Sequence, residues 1–320
     1  MRRREFIALA AGAVAFLPSG VRAQQGSMRT IGVLVLGNPD PTPFITAMRQ
    51  ELRDLGYREG QDIRFEVHSA GGKSVELAVQ ASQLVERKVD VIVAYQTPAA
   101  TAAKKVTTEI PIVMEVADPV ETGLIASLDR PGGNLTGVSG ATAELAGKTM
   151  ELIGEALPSA RRVAILANAD DPFHLLFLKH SQAAARSLKM EIRVIMVRSA
   201  DKLESKFAEI ATWPADAVLV QPSLPQQRIA DLALKFRFPA FAPTSTFTRV
   251  GGLLGYSADF NALYRRCADF VDKVLKGSRP ADLPVELPTK FWLAVNGKTA
   301  KRLGITLPPT IMSRADEVIE

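Results

Sequence analysis

Polar side chains follow several apolar runs of this 320-residue chain, at the points where those runs end. In a parallel sheet the carboxyl ends of the strands meet at one edge, and ligands of open α/β sheets bind there. Carboxylates, amides, hydroxyls and a phenol are expected at that edge, a set suited to binding a polar organic molecule. The candidates are Asn38, Asp40, Gln96, Thr97, Asp118, Asn168, Asp170, Gln221, Ser223, Thr244 and Tyr256.

Several of these residues have an equally good structural explanation. Asp40 can close a proline-flanked turn, and Asp118, which precedes a proline, can fix another turn. Asn168 and Asp170 can serve only as the entry to a helix. For each of them the choice between a structural role and a binding role stays open.

The segment VIVAYQTPAATAAKKV (91–106) predicts a strand that turns directly into a helix. We predict that Thr97 is the N-cap and that Pro98 is the first helical residue. Capping leaves other N–H groups of the first turn free, and these groups favour an anion.

No motif of the common enzyme or cofactor sites occurs in the sequence. The turn at 37–40, GNPD, lacks the glycine pattern of a dinucleotide site, and neither a phosphate-binding loop nor a hydrolase elbow is present. His68, His174 and His180 are not at helical spacing, and Cys267 is the only cysteine. We therefore expect a binding protein with no catalytic residue, no metal site and no cofactor.

Strand-like and helix-like segments alternate from Thr30 onward, and the same order recurs at an offset of about 126–132 positions. Asp90 precedes VIVA as Asp216 precedes AVLV. This repeat predicts two Rossmann-like lobes, each a doubly wound parallel sheet, with an interlobe cleft as the best ligand site. The predicted strands are 31–36, 63–67, 91–94, 112–116, 163–166, 192–197, 217–220 and 240–242.

The first 23 residues have the pattern of a signal peptide. An arginine cluster precedes a short apolar run, and Val21-Arg22-Ala23 offers small residues at a cleavage site. Arg3-Arg4 also resembles a twin-arginine export signal. This segment carries +3 of the net charge of +5, so the high pI is partly due to the leader, and no nucleic-acid partner is indicated.

Two segments are distinctive, 117–139 with the sequence ADPVETGLIASLDRPGGNLTGVS and the stretch around 278–290. In these segments, and from end to end, the chain resembles the periplasmic substrate-binding proteins of ABC transporters, in the branch that includes tryptophan- and other aromatic amino acid-binding proteins. Two positions depart from the family pattern. Tyr95-Gln96 stands where relatives often have a small residue, and Gly255-Tyr256-Ser257 stands where Ser-Tyr-Gly is frequent.

The resemblance implies the fold of a type I periplasmic binding protein, with two lobes joined by three crossovers. It assigns 30–139 plus 254–286 to the first lobe and 140–253 plus 287–320 to the second. It also implies an exported, periplasmic protein that delivers a small solute to an ABC permease in the inner membrane. We expect it to act as a monomer.

An amino acid ligand, which the resemblance suggests, would need three kinds of partner. Its carboxylate suits the helix N-terminus at Thr97. Its ammonium group needs an acid, for which Asp118 or Asp170 is the candidate. Tyr256 and Tyr95 could stack on a planar side chain.

Two other functions remain compatible with the sequence. An exported sensor or accessory protein would use the same cleft without transport. An exported enzyme on the same scaffold is disfavoured because no activated nucleophile, metal cluster or cofactor loop is found.

Overall fold

The computed structural model describes residues 28–37 and 40–320. The predicted signal peptide, 1–23, and the candidate Asn38 lie outside the described residues. Within the described ranges, no helix is long and apolar enough to cross a membrane.

The first half of the chain forms a five-stranded parallel sheet in the order β2-β1-β3-β4-β5. Three helices connect its strands. The elements are β1 (Arg29–Val35), α1 (Thr42–Asp54), β2 (Ile63–Ser69), α2 (Leu77–Glu86), β3 (Val91–Tyr95), α3 (Thr97–Val106), β4 (Ile112–Val116) and β5 (Leu135–Ser139).

The second half contributes a seven-stranded sheet in the order β12-β11-β10-β9-β8-β6-β7, in which only the β10–β11 pair is antiparallel. Its elements, together with one helix that packs on the first sheet, are α4 (Thr142–Ala156), β6 (Arg162–Asn168), α5 (His174–Ser187), β7 (Glu191–Val197), α6 (Leu203–Thr212), β8 (Ala217–Val220), α7 (Gln226–Lys235), β9 (Ala240–Ala242), α8 (Thr246–Arg249), β10 (Leu254–Ala258), α9 (Phe260–Leu275), β11 (Phe291–Asn296), α10 (Gly297–Leu303), α11 (Pro309–Met312) and β12 (Glu317–Ile319).

Both faces of the first sheet are buried, as a parallel sheet covered by helices requires. Alternate residues of β1 point to opposite faces. Ile31 and Val33 join a core with α1 and α9, whereas Leu34 joins a core with α2 and α3. The second sheet is covered in the same way, by α4 and α5 on one face and α6 and α7 on the other. The predicted fold class, two doubly wound α/β lobes, is confirmed.

The chain passes between the two sheets after β5, after β10 and before β11. Residues 254–286 were expected to return to the first lobe as one piece, but the structure divides them. β10 pairs with β9 and β11 in the seven-stranded sheet, and only α9 and the segment up to Glu286, which bridges to Val138, pack on the first sheet. The division into lobes stays a proposal, with its second boundary moved from 254 to the start of α9.

Candidate functional site

A cavity lies between the carboxyl edges of the two sheets, the place where open α/β sheets bind small molecules. Both lobes contribute side chains to its wall. The lining residues are Tyr95, Gln96, Thr97, Glu115, Val116, Ala117, Thr142, Asp171, Phe173, Pro222, Ser223, Gln226, Thr244, Thr246, Phe260 and Tyr264. This described lining contains two carboxylates and no lysine, arginine or histidine.

Glu115, on β4, is the most unusual group of this wall. The residue is 4% exposed, although it lies in the otherwise apolar strand β4, where strand pairing places it next to Tyr95. Burial disfavours the charged form and raises the pKa of the Glu115 carboxyl to about 8. Within residues 28–37 and 40–320, no cation pairs with this carboxylate. A buried acid in that condition is suited to receive a positive charge from a ligand.

Gln96, which connects β3 to α3, lies beside Glu115. Its backbone N–H donates to the Glu115 carbonyl oxygen at 2.7 Å. Its φ is 72° and its ψ is 157°, a conformation that glycine adopts easily and a side chain does not. Its side-chain Oε1 is buried and accepts no hydrogen bond from the described chain. A strained residue on a cavity wall that also has an unpaired buried acceptor points to a binding role.

The N-cap of α3 is Gln96, one residue earlier than predicted. Thr97 is already helical, and its Oγ1 lies 3.5 Å from the Ala117 backbone N–H, which donates to it. Since no side chain of the described residues caps α3, the N–H groups of its first turn remain for another partner.

An aromatic cluster from the first lobe forms one side of the cavity. Tyr95 stacks on Phe44, with ring centroids 4.7 Å apart, and Tyr264 meets both rings edge-on. The Tyr95 and Tyr264 hydroxyls are hydrogen-bonded at 3.1 Å, and Phe260 stacks on Tyr264. Burial raises the pKa of both phenols, so they stay neutral in the physiological range.

On the facing lobe, a buried polar network surrounds Asp171. This carboxylate is 3% exposed and accepts hydrogen bonds from the Ser223 hydroxyl at 2.6 Å and the Gln221 side-chain amide at 2.8 Å. Asn168 donates to the same Ser223 hydroxyl at 3.2 Å. Burial raises the pKa of Asp171, and the hydrogen bonds to its charged form oppose that shift. The network holds Asp171 and Ser223 in fixed positions on the cavity wall.

Only some of the predicted side chains reach this cavity. Gln96, Thr97, Ser223 and Thr244 line it. Asp40 lines an adjoining opening, while Asn168 and Gln221 support the wall from behind. Three predicted contacts lie elsewhere, and they are Asp118, Asp170 and Tyr256.

Each of these three residues has another partner. The Asp118 carboxylate accepts from the Ala143 backbone N–H at 2.8 Å, at the start of α4. Asp170 is 3.5 Å from the Arg198 guanidinium at the surface. The Tyr256 ring stacks on Phe291, because β10 lies in the second sheet rather than the first.

Asp118→Asn keeps an acceptor for the Ala143 N–H and removes the charge. We expect ligand affinity to change by less than about threefold, because a side chain outside the cavity loses no ligand contact. Isothermal titration calorimetry of the variant and the wild type measures the difference. A loss of binding in Asp118→Asn would restore this residue as the ammonium partner.

Gln96→Gly is expected to raise the stability of the ligand-free protein by about 1 kcal/mol, because glycine relieves the backbone strain. The same change should weaken ligand binding, since the unpaired acceptor is removed. Urea denaturation and calorimetry measure the two effects. Lys88→Gly is the matched control: Lys88 also has a positive φ, 53°, but is exposed, so it should gain stability with unchanged affinity. A less stable Gln96→Gly would contradict the assignment of strain.

Comparison with known proteins identifies the family. A sequence model of the ABC transporter substrate binding protein family matches residues 39–319. A tyrosine-binding protein from Clostridioides difficile is 27% identical over 259 residues, which cover 79% of this chain and 74% of that relative.

Solved structures agree with this relationship. An ABC domain from Streptococcus pneumoniae in complex with L-Trp is 26% identical, superposes with a TM-score of 0.85, and covers 92% of this chain and 100% of that one. A conserved domain protein from Vibrio cholerae, 24% identical with a TM-score of 0.86, covers 91% of this chain and 99% of its own, and supports the fold alone. The family resemblance seen in the sequence is confirmed, and the chain belongs to the ABC transporter substrate binding proteins.

Proposed function

We propose that this protein captures a free amino acid with a planar side chain in the interlobe cleft and delivers it to an ABC permease. The observation that carries the proposal is the Glu115 carboxylate, buried on the cavity wall with no cation beside it in the described chain. A buried carboxylate is costly unless it is protonated or paired. The ammonium group of an amino acid supplies the missing partner.

Glu115 replaces Asp118 and Asp170 as the acid for the ammonium group. Both of those carboxylates have partners outside the cavity. Glu115 faces the cavity from the end of β4, next to the start of α3. One amino acid can therefore place its ammonium group at Glu115 and its carboxylate at the N-terminus of α3.

The carboxylate of the ligand would lie at the first turn of α3. The N–H groups without an intrahelical partner and the positive end of the helix dipole favour an anion there. Thr97 adds a hydroxyl from the same turn, whereas the Ser223 hydroxyl of the facing lobe already donates to Asp171. These neutral donors orient the carboxylate without a basic side chain.

The side chain of the ligand would pack against the aromatic wall. Tyr264 and Phe260 line the cavity from the first lobe, and Phe173 lines it from the second. Such rings favour a planar partner by offset or edge-on contacts. The tyrosine-binding relative and the L-Trp complex of the similar ABC domain support a ligand of this kind.

Delivery to a permease, and a periplasmic location, are supported by the family and by the predicted leader at 1–23. Two lobes around a ligand can change from an open to a closed conformation, and a permease can recognise the closed one.

A thermal-shift screen of the mature chain with the common amino acids tests the proposal. A ligand that binds only the folded state raises the melting temperature by mass action. We expect tyrosine, tryptophan or phenylalanine to give the largest shift. If no amino acid raises the melting temperature of the folded protein at millimolar concentration, the amino acid assignment is wrong.

A further inference from the structure

The cavity is unbalanced in charge for a zwitterion. Glu115 and Asp171 face it from opposite lobes, both more than nine-tenths buried, and no basic side chain occurs in its described lining. The ammonium group of an amino acid would meet an acidic side chain that can become its counter-ion. Its carboxylate would meet only neutral hydroxyls and backbone N–H groups, while the two acids line the same cavity. The two ends of the ligand therefore differ in how strongly the site can hold them.

Gln96 offers the ammonium group of the ligand a further hydrogen-bond acceptor. Its Oε1 is a buried acceptor that receives no hydrogen bond from the described chain, and its backbone N–H donates to the backbone carbonyl oxygen of Glu115, which places the two residues side by side. An ammonium group has three donors and no acceptor. Glu115 and Gln96 together can accept two of them, one in a charge-assisted bond and one from an amide oxygen.

We infer that this cleft holds its ligand mainly by the ammonium group and therefore also binds arylalkylamines, amines that carry an aromatic ring and no carboxylate. The inference rests on the proposed function, because it uses the same cavity and the same ammonium partner. A ligand without the carboxylate loses the hydrogen bonds to Thr97 and α3. It also avoids the repulsion between that carboxylate and the two acids of the cavity. Removal of the ammonium group leaves Glu115 without a counter-ion and Gln96 Oε1 without a donor.

Three matched ligands separate these effects. L-Tryptophan, tryptamine and 3-indolepropionate share one ring and differ in which charged group is present. Calorimetric titration of the full mature chain at pH 8 gives a Kd for each. We expect tryptamine to bind at least about tenfold more tightly than 3-indolepropionate. Loss of the ammonium group leaves the buried Glu115 without its partner, which costs more binding free energy than loss of the carboxylate. If tryptophan itself does not bind, the same titrations are run with tyrosine, tyramine and 3-(4-hydroxyphenyl)propionate.

The outcomes distinguish the inference from the function beneath it. If the amino acid binds but the amine binds no better than the deaminated acid, the inference is overturned and the proposed function stands. If no member of either series binds, both fail together.

Gln96→Met tests the second acceptor, because methionine has nearly the same length and the same tolerance of a positive φ but no amide oxygen. We expect tryptamine to bind about tenfold more weakly to this variant, since a hydrogen bond to a charged group is lost. Binding of 3-indolepropionate should not fall. Gln83→Met, on α2 and away from the cavity, is the control. An unchanged tryptamine Kd in Gln96→Met would remove Gln96 from the ammonium site and overturn this part of the inference.

Discussion

Glu115→Gln is expected to weaken amino acid binding at least about 30-fold at pH 8, because it removes one partner of a buried charge pair. Glutamine has the same size and keeps an acceptor, so the shape of the cavity is retained. What is lost is the negative charge opposite the ammonium group. Calorimetry of the variant and the wild type at pH 8 gives the two dissociation constants.

The stability of the ligand-free variant supplies an internal control. The folded-state pKa of Glu115, about 8, lies above the ordinary value of 4.5, so wild-type stability is lost as pH rises from about 4.5 to about 8. Glu115→Gln should therefore be the more stable protein at pH 8, with a smaller difference at pH 5. Glu109 is exposed and lies beyond the other end of β4, so Glu109→Gln should match the wild type in ligand affinity and in stability. A variant that is well folded and binds as tightly as the wild type would refute the role of Glu115.

The affinity for an amino acid is expected to rise with pH by up to about tenfold per unit between pH 6 and pH 8, and then to level off. Below pH 8 the Glu115 carboxyl is mostly protonated in the free protein, because its pKa is about 8. The ammonium group of the ligand favours the carboxylate and lowers that pKa. Binding therefore releases a proton, which makes it weaker at low pH.

Titrations at pH 6, 7 and 8 measure this slope, and buffers of different ionisation enthalpy count the released protons. Asp118, whose pKa burial raises to about 6, also titrates at the lower end of this range. Glu115→Gln separates the two groups, since its affinity should be nearly independent of pH between 7 and 8. The same pH slope in the variant and the wild type would assign the linkage to another group.

The repeated order of strands and helices was enough to predict both sheets and the cleft between them. The apolar runs at 91–94 and 112–116 coincide with β3 and β4 to within one residue at each end. Local patterns predict such strands well because burial on both faces gives continuous apolar runs. The sheet membership of β10 was missed because its partners, β9 and β11, are set by pairings that local sequence does not reveal.

The acids of the site were harder to identify. Glu115 belongs to the predicted strand 112–116, IVMEV, and was not among the predicted site residues. A glutamate inside a buried strand is nevertheless a signal, because glutamate is seldom fully buried without a partner. Asp170 and Asp171 are adjacent, and the pattern could not decide which one turns inward. The structure turns Asp171 toward Ser223 and leaves Asp170 near the surface. Tyr264 and Phe260 lie on an amphipathic helix, α9, where cleft-facing and core-facing rings look alike in sequence.

The Gln96 conformation shows what a departure from the family pattern can indicate. The family resemblance suggests that Tyr95-Gln96 departs from the usual pattern, and the structure gives this glutamine a φ of 72°. Sequence alone marked the position as different without giving the reason. The unpaired buried Oε1 is consistent with the role that we propose for it, an acceptor for the ammonium group of the ligand.

A crystal structure of the protein with its best amino acid ligand tests the central claim most directly. The distance to measure is the one from the ammonium nitrogen of the ligand to the nearer Glu115 carboxylate oxygen. We expect about 2.7–2.9 Å, the length of a charge-assisted hydrogen bond. A ligand whose ammonium group lies on Asp118 or Asp170, or whose carboxylate faces Glu115, would contradict the account.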